Sequence, residues 1–229
     1  MRGGPDGEGP EREGPDGGGT VAGDNGTWEV ILDERKALAS DLGAVGTDAW
    51  ETRSLCDDWT VRDVVAHMTA TSKLSGPKFL FKIAGAGFNL GRLQRRDIAM
   101  ERGDSPAETL SRFEAQLDSR GRPPGPLDTM LGEVLVHSED VRRPLGIAHR
   151  YPTEALTRLA DFYAGSNLII GGKRRVDGVT LRATDTDWSH GAGPVAAGPM
   201  LEIVLGITGR RNALDRLEGA GVDTLRARS

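Results

Sequence analysis

The chain contains a single cysteine, Cys56, in 229 residues. It has no partner for an internal disulfide, and one thiol cannot by itself make a sulfur-rich zinc site. No apolar run reaches the twenty or so residues that cross a bilayer, and no charged segment followed by an apolar one opens the chain. The expectation is therefore a cytoplasmic protein with no membrane as partner. A Gly-rich phosphate loop, a G-x-S-x-G elbow and an H-E-x-x-H helix are all missing, and with them the usual signatures of phosphate-loop, serine-hydrolase and zincin chemistry. A concentrated basic face is missing too. The formal charge is −5, and residues 1–26 hold six acids against Arg2 and Arg12, which leaves the tail at −4 and the remainder nearly neutral. That argues against a nucleic-acid partner.

What is present begins with that tail. It is dominated by Gly, Pro and acid, repeats GPDG and has no hydrophobic period, so it cannot offset its ordering entropy and is expected to be disordered. Beyond it, a hydrophobic content of 37% over this length allows one substantial core or two smaller ones.

The most informative stretch is Gly125 to Gly146. Pro126 suits a first helical position, and Leu127, Met130, Leu131, Val134, Leu135 and Val141 recur at helical spacing. Glu133, His137 and Asp140 stand four and three apart, so they stack along one line at the border of the buried face. A carboxylate and an imidazole so placed can grip one metal ion. Taken alone, such a pair is more often a surface ion pair.

A third candidate ligand lies upstream in LCDDWTVRDVVAHM. Thr60 with Asp63 resembles a capping box, and Trp59 can staple against Val64, so a helix is expected from Thr60. Val61, Val64, Val65 and Met68 form its stripe, with His67 on the edge. If the two helices pack side by side, His67, Glu133 and His137 converge as three ligands with one position left for a substrate or cofactor, as in a catalytic metal site. Paired Glu-x-x-His motifs mark di-metal bundles. Here a single Glu-x-x-x-His predicts one ion.

The pairing of CxxWTVRDVVAH with ExxxHxxDVRRPLG, in this order, resembles the mycothiol-dependent maleylpyruvate isomerase family. The later runs LRATDTDW, GAGP and GPMLEIVLGITGRRNALDRLEGAGV are similar to that family's C-terminal domain, so the likeness spans roughly residues 27–229. It implies an α+β protein: a DinB-like four-helix bundle over residues 27–149 and a smaller α/β domain over 150–229. It further implies a divalent metal, usually zinc, held by His67, Glu133 and His137, which activates the thiol of mycothiol. Asp140 is then a carboxylate that orients a ligand or handles a proton, with an ordinary exposed acid as the alternative. Arg210 sits in the family-like Gly-Arg step and could bind a carboxylate of the thiol or substrate; the alternative is a solvated charge. Cys56 stands where the family often has cysteine and is not assigned as a nucleophile. Asp58 departs from the glycine common before the tryptophan.

The rest fits this outline. Thr27 is a plausible N-cap for a helix through Trp28, Ile31, Leu38, Leu42 and Val45, ended by Gly46. Residues 73–102 read as helical segments with a glycine-rich, loose middle. Ser105, Pro106 and Glu108 mark a start, with Leu110, Phe113 and Leu117 as its stripe. Four main helices make a four-helix bundle the economical architecture. Farther on, residues 153–164 read as helix, Val179, Leu181 and Ala183 as strand, and Pro199 opens another helix. Arg142 and Arg143 read as charges complementing a helix C-terminus.

The functional expectation is a metal-dependent enzyme that uses mycothiol to isomerise, or transfer sulfur to, a small electrophile. A non-catalytic metal- or ligand-binding bundle and a thiol-independent metal hydrolase are the alternatives. The chain is expected as a monomer or homodimer.

Overall fold

Four helices with complementary apolar faces decide the first half of the architecture. The computed structural model describes residues 19–56, 58–168 and 170–229. The chain runs through α1 (Gly19–Gly43), α2 (Val61–Ser72), α3 (Gly76–Gly85), α4 (Leu90–Glu101), α5 (Pro106–Glu114) and α6 (Asp128–Arg142). Then follow α7 (Thr153–Gly165), α8 (Gly172–Val176), β1 (Thr180–Ala183), β2 (Ser189–His190), β3 (Val195–Gly198), α9 (Met200–Ile207) and α10 (Gly221–Arg226). Helices α1, α2, α5 and α6 pack as a ring in which each touches its two neighbours. The α3–α4 hairpin lies outside that ring, with α4 along α2.

Local chemistry explains where these helices start. Thr60 Oγ1 accepts from Asp63 N while the Asp63 carboxylate accepts from Thr60 N at 3.0 Å, the reciprocal capping box expected for α2. Ser105 Oγ accepts from Glu108 N at 3.2 Å, and Pro106 opens α5 without losing a hydrogen bond. Of the stripe expected on α5, Phe113 is fully buried, while Leu110 and Leu117 are only partly so. Between α3 and α4, Gly87 and Phe88 adopt φ of 65° and 58°, which makes a tight break in place of the loose middle that the glycines suggest.

Three boundaries differ from expectation. Helix α1 begins at Gly19, so residues 19–26 belong to it and Thr27 is an interior residue; the expected disorder of residues 1–18 lies outside the described residues. Thr27 Oγ1 bonds back one turn to the Gly23 carbonyl at 2.9 Å instead of capping a free N–H. The helix stops at Gly43, and Gly46 instead precedes a short 3₁₀ turn, Thr47–Glu51. Helix α6 starts at Asp128, because Pro126 and Leu127 form the turn before it.

Helix α6 is the axis of the molecule. It packs on α1, α2 and α7, and most of its residues are buried, including the polar Ser138, Glu139, Asp140 and Arg142. Met130, Leu131, Val134, Leu135 and Val141 are at most 1% exposed, each such side chain contributing about 1.5–3 kcal/mol of burial. Arg142 is not a solvated charge at the helix end. Its Nε donates to Asp41 at 2.7 Å and its Nη1 to the Tyr151 hydroxyl at 2.9 Å, because its position on α6 faces α1. Such a buried cation is tolerated only when paired.

The later part of the chain adds a three-stranded sheet in the order β2-β1-β3, with β1 antiparallel to β2 and parallel to β3. Leu181 pairs with His190 on one side and Ala196 on the other. Helices α7 and α9 pack together, and their buried side chains join those of the bundle in one continuous cluster. The fold is thus α+β, a four-helix bundle followed by a smaller α/β part.

Candidate metal centre

Helices α2 and α6 lie side by side and bring together the three residues singled out by spacing. His67 Nε2 is 3.2 Å from Glu133 Oε1, and His137 Nε2 is 3.7 Å from Glu133 Oε2. One ligand atom from each of the three lies within 4.8 Å of the others. Metal bonds of about 2.0–2.1 Å at tetrahedral angles place ligand atoms about 3.4 Å apart, so these separations suit one small dication. Glu133 Oε1 is buried and accepts no hydrogen bond of acceptable geometry, despite its closeness to His67. An orphaned carboxylate oxygen between two imidazoles is what a cation would satisfy, and the donor set of two nitrogens and one oxygen fits zinc.

Electrostatics agree with that polarity. Burial opposes ionisation of Glu133, but the positive potential of His67 and His137 holds its carboxyl down to about 2. Burial also works against a charged His67, and the adjacent Glu133 outweighs it, so the imidazole's affinity for a proton is raised. The cluster therefore attracts positive charge.

The other side of His137 is occupied. Its Nδ1 is 2.8 Å from Asp140 Oδ2, which orients the ring with Nε2 toward Glu133. Asp140 is fully buried, not an exposed acid. Arg210 grips it from across the molecule, Nε to Oδ1 at 3.0 Å and Nη2 to Oδ2 at 2.6 Å. Burial again disfavours the Asp140 anion, and the His137 and Arg210 hydrogen bonds overcome this, keeping it well below the usual carboxylate range. The two-point contact foreseen for Arg210 is thus made with a carboxylate of the protein itself. Gly209, with φ of 90°, turns the chain after α9 so that Arg210 points back to the bundle.

Cys56 belongs to the same cluster. Its Sγ donates to Asp140 Oδ2 at 2.9 Å and lies 3.6 Å from His137 Nδ1. Burial, then Asp140, push the thiol well above its ordinary range, and Arg210 offsets only part of this. A thiol so held is a poor nucleophile. The loop carrying it is pinned by Leu55 N to the Asp140 carbonyl at 3.1 Å and by Ser54 Oγ to the Trp59 carbonyl at 2.8 Å. Trp59 places its ring 5.0 Å from that of His67 and 6.3 Å from that of His137.

A cleft of about 400 Å³ reaches the cluster, lined by Cys56, Asp58, Trp59, His67, His137 and Arg210 among others. Sequence spacing alone missed Gln94 of α4, which also lines it; nothing in the α4 pattern sets that residue apart from its neighbours.

Fold and site together define a helical-bundle protein with a His-Glu-His cluster where the bundle meets a small α/β part. Residues 31–142 match the family model described as the mycothiol maleylpyruvate isomerase N-terminal domain. Two solved structures share the fold. One is a histidine-to-alanine variant of the mycothiol-dependent maleylpyruvate isomerase, with a TM-score of 0.59 and 17% identity. The other is the mycothiol-dependent maleylpyruvate isomerase itself, with a TM-score of 0.54 and 14% identity. Each alignment covers 86% of this chain and 92% of the solved one. No curated protein matches the chain. No helix among the described residues is long and apolar enough to cross a membrane.

Proposed function

We propose that the protein is a metal-dependent enzyme that uses mycothiol to isomerise, or to transfer sulfur to, a small electrophile. The observation that carries this reading is the meeting of His67, Glu133 and His137 around one point, with Glu133 Oε1 left without a hydrogen bond. In this reading those three side chains hold one divalent ion, zinc by its donor set. A dication there acidifies a coordinated thiol, so that the cofactor's sulfur is available as thiolate at neutral pH.

The chain's own residues then have separate tasks. Asp140 fixes the ring orientation of His137 through Nδ1, and Arg210 holds Asp140 in place. Arg210 also lines the cleft, where its charge favours an anionic portion of the cofactor or substrate. Trp59 covers one side of both imidazoles and limits water there. Cys56 is a hydrogen-bond donor to Asp140 and leaves nucleophilic attack to the external thiol. The family model that residues 31–142 match and the named activity of the two fold neighbours support mycothiol as that thiol.

The test is metal analysis of the purified protein, followed by thermal melting with and without mycothiol. One zinc per chain in the wild type, loss of it in His67→Ala and His137→Ala, and a rise in melting temperature with mycothiol are expected. Stoichiometric zinc in both variants would overturn the ligand assignment. Turnover of an electrophile without added thiol would favour the hydrolase alternative.

A further inference from the structure

Two cavities meet at His67. The first is the polar cleft already described. The second, about 250 Å³, lies between α2, α6 and the α3–α4 hairpin; it shares His67 and Gln94 with the cleft and has Glu133 in its lining. Its walls are Leu74, Phe79, Leu90, Leu93, Pro124 and Met130. No lysine or arginine is among the described residues that line it.

The polar groups of this chamber are mostly spent. Lys82 Nζ binds both oxygens of Asp97 at 2.9 Å, Thr71 Oγ1 donates to the His67 carbonyl at 3.1 Å, and Thr129 Oγ1 donates to the Pro126 carbonyl at 2.8 Å. A carboxylate entering here would lose its hydration and find no lysine or arginine in the lining to replace it. Apolar surface has the opposite balance, because each buried methylene contributes favourably. The lip is apolar as well, since Leu90 of the lining is 52% exposed.

We propose that this chamber seats the electrophile, and that the electrophile is a neutral, largely apolar carbon compound and not a dicarboxylate. The proposal rests on the reading of His67, Glu133 and His137 as a metal–thiol site. An apolar cavity of about 150 Å³ accommodates benzene, so this one has room for a substituted aromatic ring or a short conjugated chain. Gln94 stands where the two cavities join and offers its amide to a carbonyl or nitro oxygen of such a compound. The polar cleft, with Asp58, Thr208 and Arg210, is left for the thiol cofactor. The two reactants thus approach His67 from different sides.

Calorimetric titration of the full-length protein with benzylideneacetone, a neutral enone, and with fumarate, a smaller unsaturated dianion, tests this without turnover. Both zinc-loaded and metal-free protein are used. The enone is expected to bind at least tenfold more tightly than fumarate. Phe79→Lys and Leu90→Lys, at half-buried and exposed positions of the wall, are expected to weaken the enone at least fivefold while zinc content and the mycothiol-induced melting shift stay unchanged. Equal or tighter binding of fumarate, or enone binding unaffected by either variant, would overturn the proposal. Mycothiol binding with a preference for fumarate defeats the substrate class and leaves the metal–thiol reading intact. Enone binding sensitive to both variants in a protein that takes up neither zinc nor mycothiol defeats that reading and leaves an apolar ligand site.

Discussion

Asp140 and Arg210, 70 residues apart in the chain, form a two-point ion pair directly behind His137. Asp140 is fully buried and the Arg210 side chain is 15% exposed at the cleft, which makes loss of the carboxylate costly for the guanidinium left behind. Asp140→Asn is expected to destabilise the fold by about 3–5 kcal/mol, since it strands a buried guanidinium. Asp140→Asn combined with Arg210→Met should recover much of that loss. Urea denaturation of the two single variants and the double variant measures the coupling, and simple additivity would contradict it.

The same pair bears on metal affinity. Asp140→Asn leaves His67, Glu133 and His137 in the sequence but weakens the orientation of the His137 ring, a kind of change that typically costs about 10–100-fold in affinity. Competition with a chelator of known strength reads this directly. An unchanged zinc affinity would mean that the Nδ1 contact does not position the ring.

Gly132 exists for a neighbour. A Cβ at this position would lie 1.9 Å from Tyr163 Oη and 2.8 Å from its Cζ, and Tyr163 is a buried ring that cannot swing away. Gly132→Ala is expected to destabilise by about 1–3 kcal/mol through overpacking. It should also disturb zinc binding, because Glu133 follows immediately. Tyr163→Phe removes the nearest atom and should rescue Gly132→Ala in part. Thermal melts of the single and double variants, with metal content measured alongside, decide this.

Thr60 offers a local counterpart. Thr60→Ala removes the acceptor for Asp63 N and is expected to cost about 1 kcal/mol, whereas Thr60→Ser should be close to neutral. Asp63 also receives Arg102 Nη1 at 2.6 Å, so the start of α2 is tied to the end of α4. A cost well above about 2 kcal/mol in the urea midpoint would indicate that this wider link fails as well.

What could be read from the sequence was what local periodicity controls. His67, Glu133 and His137 were legible because the 3.6-residue repeat places them at the edges of two apolar stripes, and Thr60 and Ser105 were legible because caps act within three residues. The partner of Arg210 was not, since nothing near Gly209 encodes a carboxylate on another helix. Arg142 reads in the sequence as a dipole-compensating charge because its burial depends on where α1 lies, which is a tertiary fact. The sequence points to Thr27 as the start of α1 because a threonine's hydroxyl can cap forward or bond back a turn, and in the fold it bonds back. Strand β2, two residues long, is too short to leave an alternating pattern.

Removing the metal tests the cluster by an independent route. A ligand that binds only the folded form stabilises it by an amount set by its concentration over its dissociation constant, about 4 kcal/mol at a thousandfold excess. For a chain of this length that corresponds to roughly 8–16 °C in melting temperature, at about 2–4 °C per kcal/mol. Chelator treatment of the wild type is therefore expected to lower the melting temperature by several degrees at least, and added zinc to restore it. Glu133→Gln should melt at one temperature with or without zinc, because the amide keeps the shape of the side chain but not its charge. A wild-type melting temperature indifferent to zinc would mean that His67, Glu133 and His137, close as they stand, form a hydrogen-bonded cluster and not a metal site.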